Sequence, residues 1–96
     1  MGRIHWTPEA VEWLKRIHDY IAEHRPLAAV KVVRGIHHKA QLLRKFPEIG
    51  LVFDGNRPEL RLILYGHYRI VYRIAESEIE VIGVFHGAMN IDRYLP

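Results

Sequence analysis

Near Arg57 the apolar spacing of this chain changes, and that change limits what it can fold into. Before it, apolar residues recur at helical spacing, about 3.6 residues per turn. After it they alternate, with a period of about 2, as strand residues do. In "YGHYRIVYRI", residues 65–74, Tyr68, Ile70, Tyr72 and Ile74 share one side and His67, Arg69, Val71 and Arg73 the other. Such a chain needs both a helical layer and a sheet.

Residues 3–6, "RIHW", read as a short first strand. Thr7 and Pro8 then suit a helix start. A Thr side chain accepts from first-turn N–H groups, and Pro lacks a donor that would be orphaned there. Ala10, Val11, Leu14, Ile17 and Ile21 form one apolar stripe, with Glu12, Lys15, Arg16, Asp19 and Glu23 opposite. Trp13 and Tyr20 lie on a flank, where they would cover a core edge or meet a partner. Pro26 breaks this helix and opens a second. Its buried stripe is Ala29, Val32, Val33, Ile36, Ala40 and Leu43. Its other face carries Lys31, Arg34, His38, Gln41 and Lys45, which reads as a solvated helix face. "FPEIG" ends it.

"ELRLILYG", "HYRIVYRI" and "EIEVIGVFH" follow as three strands. Their short links imply antiparallel neighbours. "FDGNRPEL" reads as a loop, and "GAMNIDRYLP" as a loop leading to a short helix or extended segment. The expectation is one α+β domain over residues 1–96: a short N-terminal strand, an antiparallel helix hairpin and a three-stranded antiparallel meander, in two layers.

Several chemistries are excluded. The chain has no cysteine, hence no disulfide and no thiolate. Ser77, the only serine, sits in a predicted turn, unsuited to a Ser–His–Asp site. "GNRPEL" lacks the spacing of a phosphate-binding loop. His37 and His38 are adjacent, so on a helix they diverge by about 100° and make a poor metal pair. Neither metal nor cofactor is expected. No apolar run reaches membrane length and no signal peptide opens the chain, so a cytoplasmic protein without membrane contact is expected. The net charge of +3 favours an acidic protein or a nucleic acid as partner.

With "WTPEA" opening the first helix, "FPEIG" closing the second, "YRIVYRI" on the central strand and "VFHGAMNID" closing the last, the chain resembles the RelE/ParE superfamily of type II toxin–antitoxin toxins. The marks run over nearly the whole chain. The resemblance implies a toxin held inactive in a hetero-oligomer with a cognate antitoxin. RelE-like members cleave messenger RNA in the ribosomal A site, and ParE-like members are poisons of DNA gyrase.

Metal-free RNA cleavage needs a base, cations for the phosphorane and an acid for the leaving oxygen. Arg69 matches the strand arginine of the RelE-like nucleases, and His86 could act as base or acid. Tyr94 matches their C-terminal catalytic tyrosine loosely. The cation they keep just after the last strand is missing from "HGAMN", and their lysines are missing from "FDGNRPEL". The resemblance therefore points to a ParE-like gyrase inhibitor, not an enzyme. The alternatives are a ribosome-dependent endoribonuclease using Arg69, His86 and Tyr94, and a non-toxic antitoxin-binding module. Partner contacts are expected from Trp13, Tyr20, Arg61, Arg69, Met89 and Arg93. Arg61 would extend the basic face of Arg69 if the strand register allows, Arg73 reads as a surface arginine, and Met89 would also pin the C-terminus.

Overall fold

Thr7 ties the two layers together. Its hydroxyl accepts from the Ala10 N–H at 3.1 Å, capping the first helix, and donates to the Val81 carbonyl at 3.0 Å on a neighbouring strand. The structure is a computed structural model that describes residues 2–87 and 89–95. Ala88, inside the "VFHGAMNID" motif, lies outside those residues.

Strand β1 is Arg3–Trp6, helix α1 Pro8–Ala22 and helix α2 Pro26–Gln41, followed by a 3₁₀ turn at Leu42–Arg44. Strands β2 (Leu51–Asp54), β3 (Arg57–Tyr65), β4 (Tyr68–Ala75) and β5 (Glu78–His86) complete the sheet, and a 3₁₀ turn at Ile91–Arg93 ends it. The sheet order is β1-β5-β4-β3-β2, with β1 parallel to β5 and the other pairs antiparallel. The expected α+β helix pair and sheet are present, but the sheet has five strands. The additional one is β2, which runs into the start of "FDGNRPEL", read in the sequence as a loop; the "DGNR" turn joins it to β3, with Asp54 accepting from the Asn56 N–H at 2.9 Å.

The principal core lies between the helices and the sheet. Ala10, Ile36 and Leu43 meet Ile70, Tyr72, Ile79, Val81 and Val84, all fully buried. Each large side chain buried this way contributes about 1.5–3 kcal/mol. Tyr68, Ile70, Tyr72 and Ile74 all face this core, as the alternation predicts. Val11 departs from its stripe and is 53% exposed. Tyr72 is fully buried, yet its hydroxyl donates to the Pro47 carbonyl at 2.7 Å and accepts from the Gly50 N–H at 3.0 Å. Burial, the larger effect, raises its pKa over the lowering by Gly50 and Arg61. That phenol pins the segment between α2 and β2, so the new edge strand is held by a residue of the central one.

The opposite face of the sheet is not simply wet. Val71, Phe85 and Ile91 form a second buried cluster, with Trp13, Phe53, Leu62, Met89 and Leu95 packed against it. The C-terminal segment thus lies across the back of β4 and β5. The pairing of those strands shifts between Val71 and Tyr72, where Val71 faces Gly83 and Tyr72 faces Val81. Ile82 is the extra residue of this bulge, which lets β5 supply both Val81 and Val84 to the helix-side core.

Candidate functional site

Strand β1 pairs only with Glu78–Val81, so the far half of β5 has no strand beside it on that edge. Trp13 of α1 packs against this half: its ring lies 4.9 Å from that of Phe85 and 5.1 Å, edge-on, from that of Tyr94. The Arg16 guanidinium stands over Trp13 at 4.9 Å, a cation–π contact. Between α1 and the end of the sheet opens a cleft of about 410 Å³, lined by Trp13, Arg16, Ile17, Tyr20, Tyr68, Val84, His86 and Met89. Tyr20 is 78% exposed at its rim. On its floor Tyr68 meets the His86 ring edge-on at 5.6 Å, and His67 lies against His86 at 6.2 Å. Burial raises the Tyr68 pKa, and the nearby Tyr20 raises it further.

The sequence candidates Trp13, Tyr20, His86 and Met89 therefore meet in one groove. Arg16, Tyr68 and Val84 belong to it and were not singled out for it by the sequence. Arg16 sits three residues after Trp13, on the same helix flank, and that spacing was the available signal.

Arg69 lies elsewhere. Tyr68 pairs with His86 and Arg69 with Phe85, and neighbours along a strand point to opposite faces. Arg69 and His86 thus leave the sheet on opposite sides. The Arg69 Nη2 donates to the Gly87 carbonyl at 3.2 Å and the Met89 carbonyl at 2.7 Å, while its buried Nε has no partner among the described residues. Its guanidinium holds the chain just after β5.

Arg61 does not extend that basic face. It pairs with Tyr72, which puts it on the helix side, where Nη1 donates to the carbonyls of Gly50 at 2.9 Å and Glu48 at 3.3 Å. Arg73 forms an ion pair with Glu80 on the adjacent strand. Arg93 and Tyr94 line a second cleft of about 410 Å³ together with Arg73, Glu80 and Ile82. His37 and His38 diverge: His37 stacks on Trp6 at 6.0 Å, and His38 lines a shallow cleft with Lys45.

The groove is lined mainly by apolar side chains, with the Arg16 guanidinium beside Trp13 and the His86 imidazole on its floor. That suits an apolar side chain of a partner flanked by acidic groups. Arg69, His86 and Tyr94, the set a nuclease would bring to one phosphate, are divided between the two faces.

The family model described as "ParE toxin of type II toxin-antitoxin system, parDE" matches residues 4–91. The chain belongs to this ParE toxin family. "Toxin RelE2" of Caulobacter vibrioides is 30% identical over 88 residues, spanning 92% of this chain and 98% of that one. "Toxin ParE1" of Mycobacterium tuberculosis is 32% identical over 68 residues, spanning 70% of this chain and 69% of its own. The fold is similar to that in the chromosomal ParDE system of P. aeruginosa, with a TM-score of 0.79 at 21% identity over 90% of this chain and 96% of that one. It is less similar to that in the RelBE2 toxin–antitoxin complex of M. tuberculosis, with a TM-score of 0.58 at 21% identity over 88% of this chain and 96% of that one. The chain is the toxin component of a type II toxin–antitoxin system, on the ParE-like branch, and its partner is a cognate antitoxin. No helix among its described residues is long and apolar enough to cross a membrane.

Proposed function

We propose that this ParE-family toxin acts by inhibiting DNA gyrase, in the cytoplasm, and that its antitoxin neutralises it by filling the Trp13–Tyr20–Met89 groove. Membership of the ParE family supports the target. The observation that carries the non-nuclease reading is the division of Arg69 from His86 by the sheet. General acid–base cleavage needs both groups within hydrogen-bond reach of one phosphodiester. Arg69 instead has its Nη2 on two backbone carbonyls. The chain then works by binding, without a cofactor or metal. Arg61 and Arg69 act in this reading as supports for the binding surface, and Arg93 as a contact at the second cleft.

The antitoxin segment that fits the groove presents a large apolar residue to Trp13 and Tyr20 and a carboxylate to Arg16. The test is to express the chain without antitoxin and assay gyrase supercoiling and in-frame mRNA cleavage on the same preparation. Inhibition of supercoiling supports the proposal, cleavage supports the endoribonuclease alternative, and inactivity in both supports a binding module.

A further inference from the structure

Charge is distributed unevenly along this chain. From His24 to Pro47 there is no Asp or Glu, and there are six Lys or Arg: Arg25, Lys31, Arg34, Lys39, Arg44 and Lys45. All eleven acidic residues lie outside that run. The run is α2 with the turn that follows it. Its packing residues, Ala29, Ile36, Ala40 and Leu43, are fully buried, which fixes the rotation of the helix and turns Lys31, Arg34, His38 and Lys45 to solvent. On α1 the arrangement differs: Glu12 lies beside Arg16 within ion-pair distance, at 3.9 Å. Among the described residues none of the α2 cations has an ion-pair partner.

We infer that this exposed face of α2 is a docking surface for duplex DNA, reading the phosphate backbone rather than the bases. The row from Lys31 to Gln41 extends about 15 Å along the helix at about 1.5 Å per residue, and Lys45 follows just past the 3₁₀ turn. Lys31, Arg34, His38, Gln41 and Lys45 can all donate hydrogen bonds, and such donors serve phosphate oxygens without specifying sequence. An acidic protein partner would call for an apolar centre, and protein interfaces are depleted in lysine. Between Lys31 and Gln41 no large apolar residue is exposed; the exposed ones, Leu27 and Val30 before this stretch and Leu42 and Phe46 after it, stand at its ends. B-form DNA has a major groove about 12 Å wide that accepts a helix. The corresponding groove of duplex RNA is too narrow. The surface is distinct from the Trp13–Tyr20 groove and is independent of which enzyme the toxin inhibits.

The test uses the full chain and a random-sequence 24-base-pair DNA duplex, followed by fluorescence anisotropy over a range of salt. Each phosphate neutralised contributes about 0.9 to the slope of log affinity against log salt. Lys31→Gln/Arg34→Gln/Lys45→Gln should lower affinity roughly tenfold or more at low salt and reduce the slope by about 2–3. Arg3→Gln/Lys15→Gln/Arg57→Gln, which removes the same charge elsewhere, should change the slope by less than half as much. Circular dichroism melts verify folding, and the single variants Lys31→Gln and Arg34→Gln, each expected to remove about one unit of slope, carry the test if the triple variant does not fold. Equal losses from the two triple variants would overturn the inference. So would wild-type binding to poly-glutamate, or to duplex RNA, as tight as to the DNA.

Discussion

Arg69 and His86 lie one register step apart on neighbouring strands, yet their side chains leave the sheet on opposite faces. His86 joins Tyr68 on the floor of the helix-side groove, while Arg69 reaches back to the carbonyls of Gly87 and Met89. One strand pairing thus separates the two residues that a nuclease mechanism would need together.

Arg69 is a structural anchor in this arrangement. Arg69→Ala should cost about 1.5–3 kcal/mol, the range for hydrogen bonds made by a charged group. Urea unfolding measures the cost. Hydrogen exchange should show faster exchange at the Met89 amide, which donates to the His86 carbonyl at 2.9 Å in the segment Arg69 holds. Unchanged protection there would mean that Arg69 does not hold the tail.

Tyr72 offers a sharper stability test. Tyr72→Phe keeps the ring and strands the Gly50 N–H and the Pro47 carbonyl, so a loss of about 1–3 kcal/mol is expected. In a domain of this size that lowers Tm by roughly 4–8 °C per kcal/mol. The raised Tyr72 pKa also sets a sign. Above pH 10, the ordinary value of this phenol, the unfolded chain gives up the proton while the folded one keeps it. Stability from this group is therefore fully present below that pH and is lost as pH rises toward the folded pKa. Alkaline melts should show the fall in the wild type and a smaller fall in Tyr72→Phe.

Gly35 contradicts the ordinary helix rule. Gly to Ala inside a helix usually stabilises by about 1 kcal/mol. Here an added Cβ would overlap the Tyr65 ring. Gly35→Ala should instead destabilise by about 1–3 kcal/mol through overpacking. In a Tyr65→Ala background the same change should cost less, as read from a double-mutant cycle of thermal melts.

The groove proposed for the antitoxin is tested at its rim. Tyr20 is mostly exposed, so Tyr20→Ala should leave Tm within about 2–4 °C, as surface changes usually cost less than about 0.5 kcal/mol. If Tyr20 is an aromatic anchor, antitoxin affinity falls roughly tenfold or more, measured by calorimetry. Unchanged affinity would place the antitoxin elsewhere.

Much of this fold was legible because its signals are local. Thr7 and Pro8 mark the start of α1, and the helical stripe of α2 correctly names Ala29, Ile36, Ala40 and Leu43 as buried. The alternation of β4 assigns Tyr72 and Ile70 to the core. Strand β2 was not legible: Leu51–Asp54 lies between Gly50 and Gly55, too short to display a period, and Tyr72 holds its approach from 22 residues away. The second core was hidden for a related reason. Val71 looks like a solvent-facing residue until the tail places Ile91 near it. The site was legible in part. Trp13, Tyr20, His86 and Met89 were named singly, but their meeting depends on β1 stopping short along β5. The separation of Arg61 from Arg69 depends on register, which the sequence does not carry.

Gyrase inhibition without RNA cleavage is tested most directly by giving the toxin both targets side by side. Purified toxin is added to gyrase with relaxed plasmid, and to a translation extract with a reporter message, at matched concentrations. A ParE-like gyrase inhibitor abolishes supercoiling and leaves the message intact. The contradicting result is in-frame cleavage of the message, abolished by Arg69→Ala or His86→Ala in a folded variant, with supercoiling unaffected.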